Sequence, residues 1–197
     1  MIAAAACLAA PPLTRDADTE LMLRLQRGER AAFRPLLERN HTRVLNLAFR
    51  FGVDRGAAEE LAQETFLRVY QARERYRPER PFGAYLLRIA TNLCLSRARR
   101  LRARKTFVDH DAAGNNSDGR DQPVDDLLRE ELRARVRQAV ATLPERQRLA
   151  IVLQRFEGLS YEQVAEALDL TVPATKSLLH RARLSLRDRL EDYRLAG

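Results

Sequence analysis

LPERQRLAIVLQRFEGLSYEQVAEALDLTVPATKSLLHRAR, residues 143–183, decides how the rest of the chain is read. Ser160 is placed to cap a helix, and Gln163, three residues on, completes a capping box. Val164, Ala165 and Leu168 give that helix one apolar stripe. Asp169 and Leu170 make a short turn. Thr171 then caps a second helix, whose first turn tolerates Pro173. Along this second helix Leu179, Ala182 and Leu186 form an inner stripe, while Lys176, His180, Arg181 and Arg183 lie near one another outside. Upstream, Pro144 suits a first helical turn. Leu149, Ile151, Val152, Leu153 and Phe156 build the helix that Gly158 stops. A short helix, a tight turn and a basic second helix fit a DNA major groove.

The whole chain of 197 residues has room for one ordinary domain or two small ones. Its 45% hydrophobic and 31% charged residues indicate a globular protein. The formal net charge of +8 favours a polyanionic partner, nucleic acid before an anionic membrane surface. Lys105 and Lys176 are the only lysines, so the positive charge is almost all arginine, which holds phosphate and guanine bidentately. Cys7 and Cys94 have neither disulfide nor zinc spacing, which fits a reducing cytoplasm. No apolar run approaches the ~20 residues that span a bilayer, so membrane insertion is not expected. Residues 2–10 resemble a short signal-peptide core, but no basic residue precedes them. Residues 1–17 are read as a disordered extension.

Residues 18–105 read as helix after helix. Asp18 and Thr19 offer a cap to the first, and Gly28 ends it. A second covers about 30–51, with Phe33, Leu36, Leu37, Val44, Leu45, Ala48 and Phe49 at core spacing and Gly52 as its stop. Asp54 opens a third helix, with Ala58, Leu61, Ala62, Thr65, Phe66 and Val69 inward and Glu59, Glu60, Gln63 and Glu64 outward. A proline-containing loop, 74–81, leads to a fourth helix that ends in the basic block 97–105. Residues 106–123 are rich in Asp, Asn and Gly and read as a flexible linker. From Val124 a second helical unit begins, with Leu127, Leu128, Leu132, Val136, Val140 and Leu143 at helical spacing. The expected fold is all-α: two small helical domains on a flexible tether.

Four segments, in order, resemble the sigma-70 family of bacterial RNA polymerase sigma factors, in its extracytoplasmic-function (ECF) group. They are ELMLRLQRGERAAFRPLLERN, AAEELAQETFLRVY, PFGAYLLRIATNLCLSRARR and the 143–187 stretch. Residues 18–105 are similar to the family's region 2, a helical bundle, and 124–192 to region 4, its helix-turn-helix. The resemblance implies a chain that binds core RNA polymerase, directs it to promoters with −10 and −35 elements and assists DNA melting. Its implied partners are core polymerase, through the β′ clamp and the β flap, promoter DNA and an anti-sigma factor. Neither a cofactor nor a small-molecule substrate is implied, and the expected location is cytoplasmic.

The resemblance also implies roles for residues. On the third helix Glu59, Glu60, Gln63 and Glu64 would face the polymerase, with Leu61 and Phe66 as packing support. Capture of unstacked bases at −10 needs stacking platforms, amides and cations. Tyr76, Phe82 and Tyr85 are candidates for stacking, Asn92 and Ser96 for base edges. Arg88, Arg97, Arg99 and Arg100 are candidates for phosphate. At −35 the candidates are Thr171, Lys176, Ser177, His180, Arg181 and Arg183, with Lys176 and Arg181 suited to guanine. The chain departs from the family pattern at Tyr85, where Trp is frequent, and at Ser96, where Asp or Asn is. It departs also at Pro173, Thr175 and Leu178, where Gly, Val and Arg are frequent. A leucine in place of a phosphate-directed arginine predicts weaker anchoring in the groove.

No phosphate-cradling glycine loop, HExxH, CxxC or Ser/His/Asp arrangement is present, and His41, His110 and His180 lie on separate elements. Catalysis by the chain itself, or a metal site, is therefore not expected. The alternative is a helix-turn-helix regulator that binds duplex DNA without polymerase. It leaves the acidic 58–70 segment and the arginines 97–100 without a purpose.

Overall fold

A computed structural model describes residues 16–105 and 134–194, and among these all regular structure is helical. The first half contains α1 (Ala17–Gln26), α2 (Phe33–Phe51), α3 (Arg55–Gln71) and α4 (Phe82–Lys105). The second contains α5 (described over 134–141), α6 (Glu145–Ile151), α7 (Tyr161–Leu168) and α8 (Val172–Arg194). The expected linker 106–123 and the apolar positions 127, 128 and 132 lie outside the described residues. So do residues 1–15 of the expected N-terminal extension.

Local chemistry sets most boundaries. Asp16, not Asp18, caps α1: its Oδ1 accepts the Thr19 amide at 2.6 Å. Asp18 is occupied by α2, accepting from Arg39 at 2.6 Å and Asn40 at 2.9 Å. The Thr19 hydroxyl accepts the Phe82 amide at 3.0 Å, tying the start of α4 to α1. Gly52 takes φ 91° at the end of α2, a left-handed conformation that costs a Cβ-bearing residue more. Asp54 caps α3 through the Ala57 amide at 2.9 Å. The Ser160–Gln163 capping box forms at α7, and Asp169 closes that helix at φ 54°.

Burial follows the expected stripes with informative exceptions. On α2 Leu47 and Phe51 are buried, whereas Phe49 is 42% exposed. Phe156, one of the apolar residues that build the helix before Gly158, is 47% exposed. Its helix ends in a π turn, Val152–Phe156, with the Glu157 amide donating to the Val152 carbonyl at 3.2 Å. The wider turn delays the helical phase, so Phe156 swings outward and Glu157 inward. On α8 Thr175 and Leu178 join Leu179 and Ala182 in the core.

The two halves pack together. α4 lies against α7 and α6, and α2 against α6 and the π turn. Their buried apolar residues form one connected cluster. The Glu157 side chain, 7% exposed, receives Arg43 at 2.8 Å and lies 3.7 Å from Arg50. The Arg50 guanidinium also stacks 4.6 Å from the Phe156 ring centroid. Arg148 Nη1 donates to the Phe51 carbonyl at 2.6 Å, while its Nη2 donates to the Ala141 and Leu143 carbonyls. Arg102 meets Glu145 at 2.7 Å. A side chain at Gly83 would overlap the Arg43 guanidinium, so the glycine clears a path across α4.

Two measurements check this packing. Thr19→Val keeps the shape but orphans the buried Phe82 amide, at a cost of about 1–3 kcal/mol. The denaturant midpoint should fall with an unchanged m-value. Burial pushes the Cys94 thiol up to about 12, so stability is full below the ordinary value of 9.0 and declines as pH rises between the two. At neutral pH iodoacetamide should modify Cys94 only after denaturation. Rapid alkylation in the native state would contradict the burial.

Candidate functional site

Helix α3 presents one polar face to solvent. Its inner residues Ala58, Leu61, Ala62, Thr65, Phe66 and Val69 are buried, and the Thr65 hydroxyl donates to the Leu61 carbonyl at 2.7 Å. Leu61 and Phe66 therefore orient the helix from beneath and do not themselves reach the surface. Glu60 and Gln63 are exposed, and Glu59 and Glu64 are half-exposed. Glu59 lies 3.3 Å from His41, and Glu64 pairs with Arg68 at 2.7 Å. The structure adds Leu67, 50% exposed at helical spacing from Glu60, Gln63 and Glu64. A large apolar residue at an outward position of a charged helix was the signal for it in the sequence.

The aromatics at the start of α4 separate into two environments. Tyr76 and Phe82, expected as stacking platforms, are 3% and 0% exposed and belong to the core. Their rings pack edge-on 6.2 Å apart. Gln26 fixes the preceding loop by donating to the Glu74 and Tyr76 carbonyls at 3.1 and 3.0 Å. Those two expectations are corrected: a base cannot stack on a ring already enclosed. Tyr85 packs 5.1 Å from Tyr76 yet stays partly exposed, and burial raises its phenol.

Beyond Tyr85 the candidates sort by helical angle. Arg88, Asn92, Ser96 and Arg99 follow Tyr85 along one face of α4, with Arg100 exposed beside them. Arg99 reaches the Ser96 hydroxyl at 3.3 Å. Arg97 turns away toward the cap of α3, 3.7 Å from Asp54. Arg88 reaches into the other half, donating to Glu166 of α7 at 3.0 Å, and Arg80 pairs with the second oxygen of that carboxylate.

On the second half, α8 shows Lys176, Ser177, His180, Arg181 and Arg183 to solvent. Thr171 is exposed and caps the helix, accepting the Ala174 amide at 3.3 Å. Lys176 sits 5.7 Å from the Tyr161 ring centroid. Arg183 leans back onto Gln154 at 3.3 Å and Tyr161 at 3.5 Å. Leu178 is 9% exposed and Thr175 fully buried. A residue facing the core cannot anchor phosphate, so the expected weakening from Leu178 does not follow.

An apolar groove of about 410 Å³ lies between α5, α6, the π turn and α8, lined by Val136, Val140, Ile151, Phe156 and Leu186 with Arg155. Among the described residues no group of three His, Cys, Asp or Glu side chains could hold a metal ion. No described helix is long and apolar enough to cross a membrane.

Comparison with known proteins agrees with this geometry. The model of Sigma-70 region 2 matches residues 36–104, and that of Sigma-70, region 4 matches residues 133–186. RNA polymerase sigma-H factor of Pseudomonas aeruginosa is 34% identical over 87% of this chain and 92% of its own length. The ECF RNA polymerase sigma-E factor of Haemophilus influenzae is 32% identical over 88% of this chain and 95% of its own. The solved structure of CnrH in complex with the cytosolic domain of CnrY superposes with a TM-score of 0.65 at 28% identity. It covers 90% of this chain and 99% of CnrH. The chain belongs to the sigma-70 family of RNA polymerase sigma factors, in its extracytoplasmic-function group.

Proposed function

We propose that this chain recruits core RNA polymerase to one class of promoters and helps separate the strands, leaving catalysis to the polymerase. The observation that carries the reading is the sharing of labour within one chain. α3 offers an acidic and amide face, α4 a face of cations and amides, and α8 an exposed basic helix behind a helix-turn-helix. A regulator that acts without polymerase has no use for the first of these faces.

In this reading residues 18–105 form the unit for polymerase and −10 DNA, and 124–192 the unit for −35 DNA, with 106–123 as their linker. Glu60, Gln63 and Glu64, with Glu59 and Leu67 at the margins, dock on the β′ clamp. The apolar groove beside Phe156 takes a segment of the β flap, because its lining is apolar and its mouth open. Tyr85 supplies the stacking surface at −10, Asn92 and Ser96 reach base edges, and Arg88, Arg99 and Arg100 hold phosphates. Lys176, Ser177, His180 and Arg181 enter the major groove at −35, and Arg181 suits a guanine. The cytoplasm is the compartment, since polymerase and promoter are there. CnrH is solved in complex with the cytosolic domain of CnrY, and a comparable anti-sigma partner for this chain follows by analogy.

The decisive experiment is run-off transcription on fragmented genomic DNA with core polymerase, with start sites then sequenced. The expected result is one promoter class above the core-only level; core-only transcription everywhere would end the proposal. Charge reversal at Glu60 and Glu64 should abolish co-purification with polymerase while the circular dichroism and melting stay unchanged. Arg181→Ala should cost about 1–3 kcal/mol at promoters with a matching −35 guanine and relax selectivity there. Equal losses on promoters lacking that guanine would count against base readout.

A further inference from the structure

No residue of α1 belongs to the surfaces assigned above to polymerase or DNA, yet α1 sends two polar side chains to the segment that leads into α4. Thr19 and Gln26 stand two helical turns apart on one face of α1. Thr19 accepts the Phe82 amide at 3.0 Å. Gln26 uses both protons of its side-chain amide, donating to the Glu74 carbonyl at 3.1 Å and to the Tyr76 carbonyl at 3.0 Å. Those carbonyls lie where the turn Arg73–Arg75 stops, so no further helical turn supplies them with donors.

Both anchored segments carry a ring, and both rings support a third. Tyr76 and Phe82 are enclosed in the core. The Tyr85 ring packs edge-on 5.1 Å from Tyr76 and tilted 6.3 Å from Phe82. Tyr85 is the stacking surface proposed for an unstacked base. Stacking needs two planes that meet nearly parallel, so it depends on the tilt of the ring as well as on its presence. The two enclosed rings set that tilt, and α1 holds the two rings. No residue between Tyr76 and Phe82 is buried, so the loop is seated by its ends. The Thr19 bond belongs to the first turn of α4 and to the fold. Gln26 is half-buried at the last residue of its own helix, and its bonds hold only loop backbone.

We propose that Gln26 is a positioning residue for promoter melting. Its double donation fixes the Tyr76 ring, and through that ring the tilt of Tyr85, which receives an unstacked −10 base. Gln26 itself meets no DNA. The proposal rests on the reading of Tyr85 as the stacking surface.

The chain contains no tryptophan, so Tyr85→Trp introduces a single indole at that surface. Gln26→Met keeps the length and the neutrality of the side chain but has no donor. In the free full-length chain carrying Tyr85→Trp, adding Gln26→Met should raise acrylamide quenching of the indole and lower its anisotropy, with the circular dichroism unchanged. Arg27→Gln, which disturbs only the exposed pair with Glu20, is the control and should change neither. Function is read as initiation by core polymerase holding each variant, on the strongest promoter that run-off sequencing yields. Tyr85→Ala should lower initiation about fivefold or more, the lower end of what one stacked base contributes. Gln26→Met should lower it by part of that factor, and by nothing further once Tyr85→Ala is present. A role in stability alone would lower initiation by the same factor in both backgrounds. Equal factors, or an indole whose quenching does not change, overturn the proposal. If Tyr85→Ala leaves initiation intact, the reading of Tyr85 fails and the proposal falls with it, whatever the quenching shows.

Discussion

Helix α4 has to satisfy two environments along a single length, and the rest of the structure is arranged to let it. It packs against α1, α2 and α3 of its own half and against α6 and α7 of the other. Phe82, Leu86, Leu87, Ala90, Thr91 and Cys94 are buried along one side, while Arg88, Asn92, Arg99 and Arg100 are exposed along the other. The buried side fixes the rotation of the helix, and that rotation decides which polar groups look outward. This is why the register of α4 is guarded at its first residue. The Phe82 amide, an orphan donor of the first turn, is taken by the Thr19 hydroxyl. An interaction wholly inside the core thus sets the direction of side chains proposed to meet DNA.

Local chemistry was the legible part of the sequence. The capping box at Ser160, the caps at Asp54 and Thr171 and the stops at Gly28 and Gly52 need only neighbours in the chain. The inner stripe of α3 was equally clear, because it is long and strictly periodic. What could not be read depends on contacts between distant segments. Asp16 and Asp18 are both plausible caps. Only the arrival of Arg39 and Asn40 from α2 settles that Asp18 is used elsewhere. An aromatic residue beside a loop can be a platform or a core piece, and the packing of Tyr76 and Phe82 on α1 and one another decides for the core.

The π turn is a different kind of failure. Periodicity assumes a constant angle per residue, and five residues that break this assumption rotate everything after them. Phe156 has helical spacing from Leu149, Val152 and Leu153, which are buried, yet it is exposed. Glu157, which looked like an ordinary loop acid before Gly158, became one of the least exposed carboxylates of the fold. Leu178, where the family pattern has a phosphate-directed arginine, and Thr175 are both turned to the core by the helix. The −35 candidates Thr171, Lys176, Ser177, His180, Arg181 and Arg183 all face outward.

The ion pairs between the halves all use arginine, and this narrows the chemistry that can act on them. A guanidinium stays charged across the whole physiological range and is not a substrate for acylation as an amine is. Lys105 and Lys176 are the only amines on side chains, and neither takes part in the pairs at Glu157 or Glu166. Acidification within the cell's range and acetyl transfer thus leave the four arginines cationic. What can compete for these guanidiniums is another anion that offers the same paired oxygens.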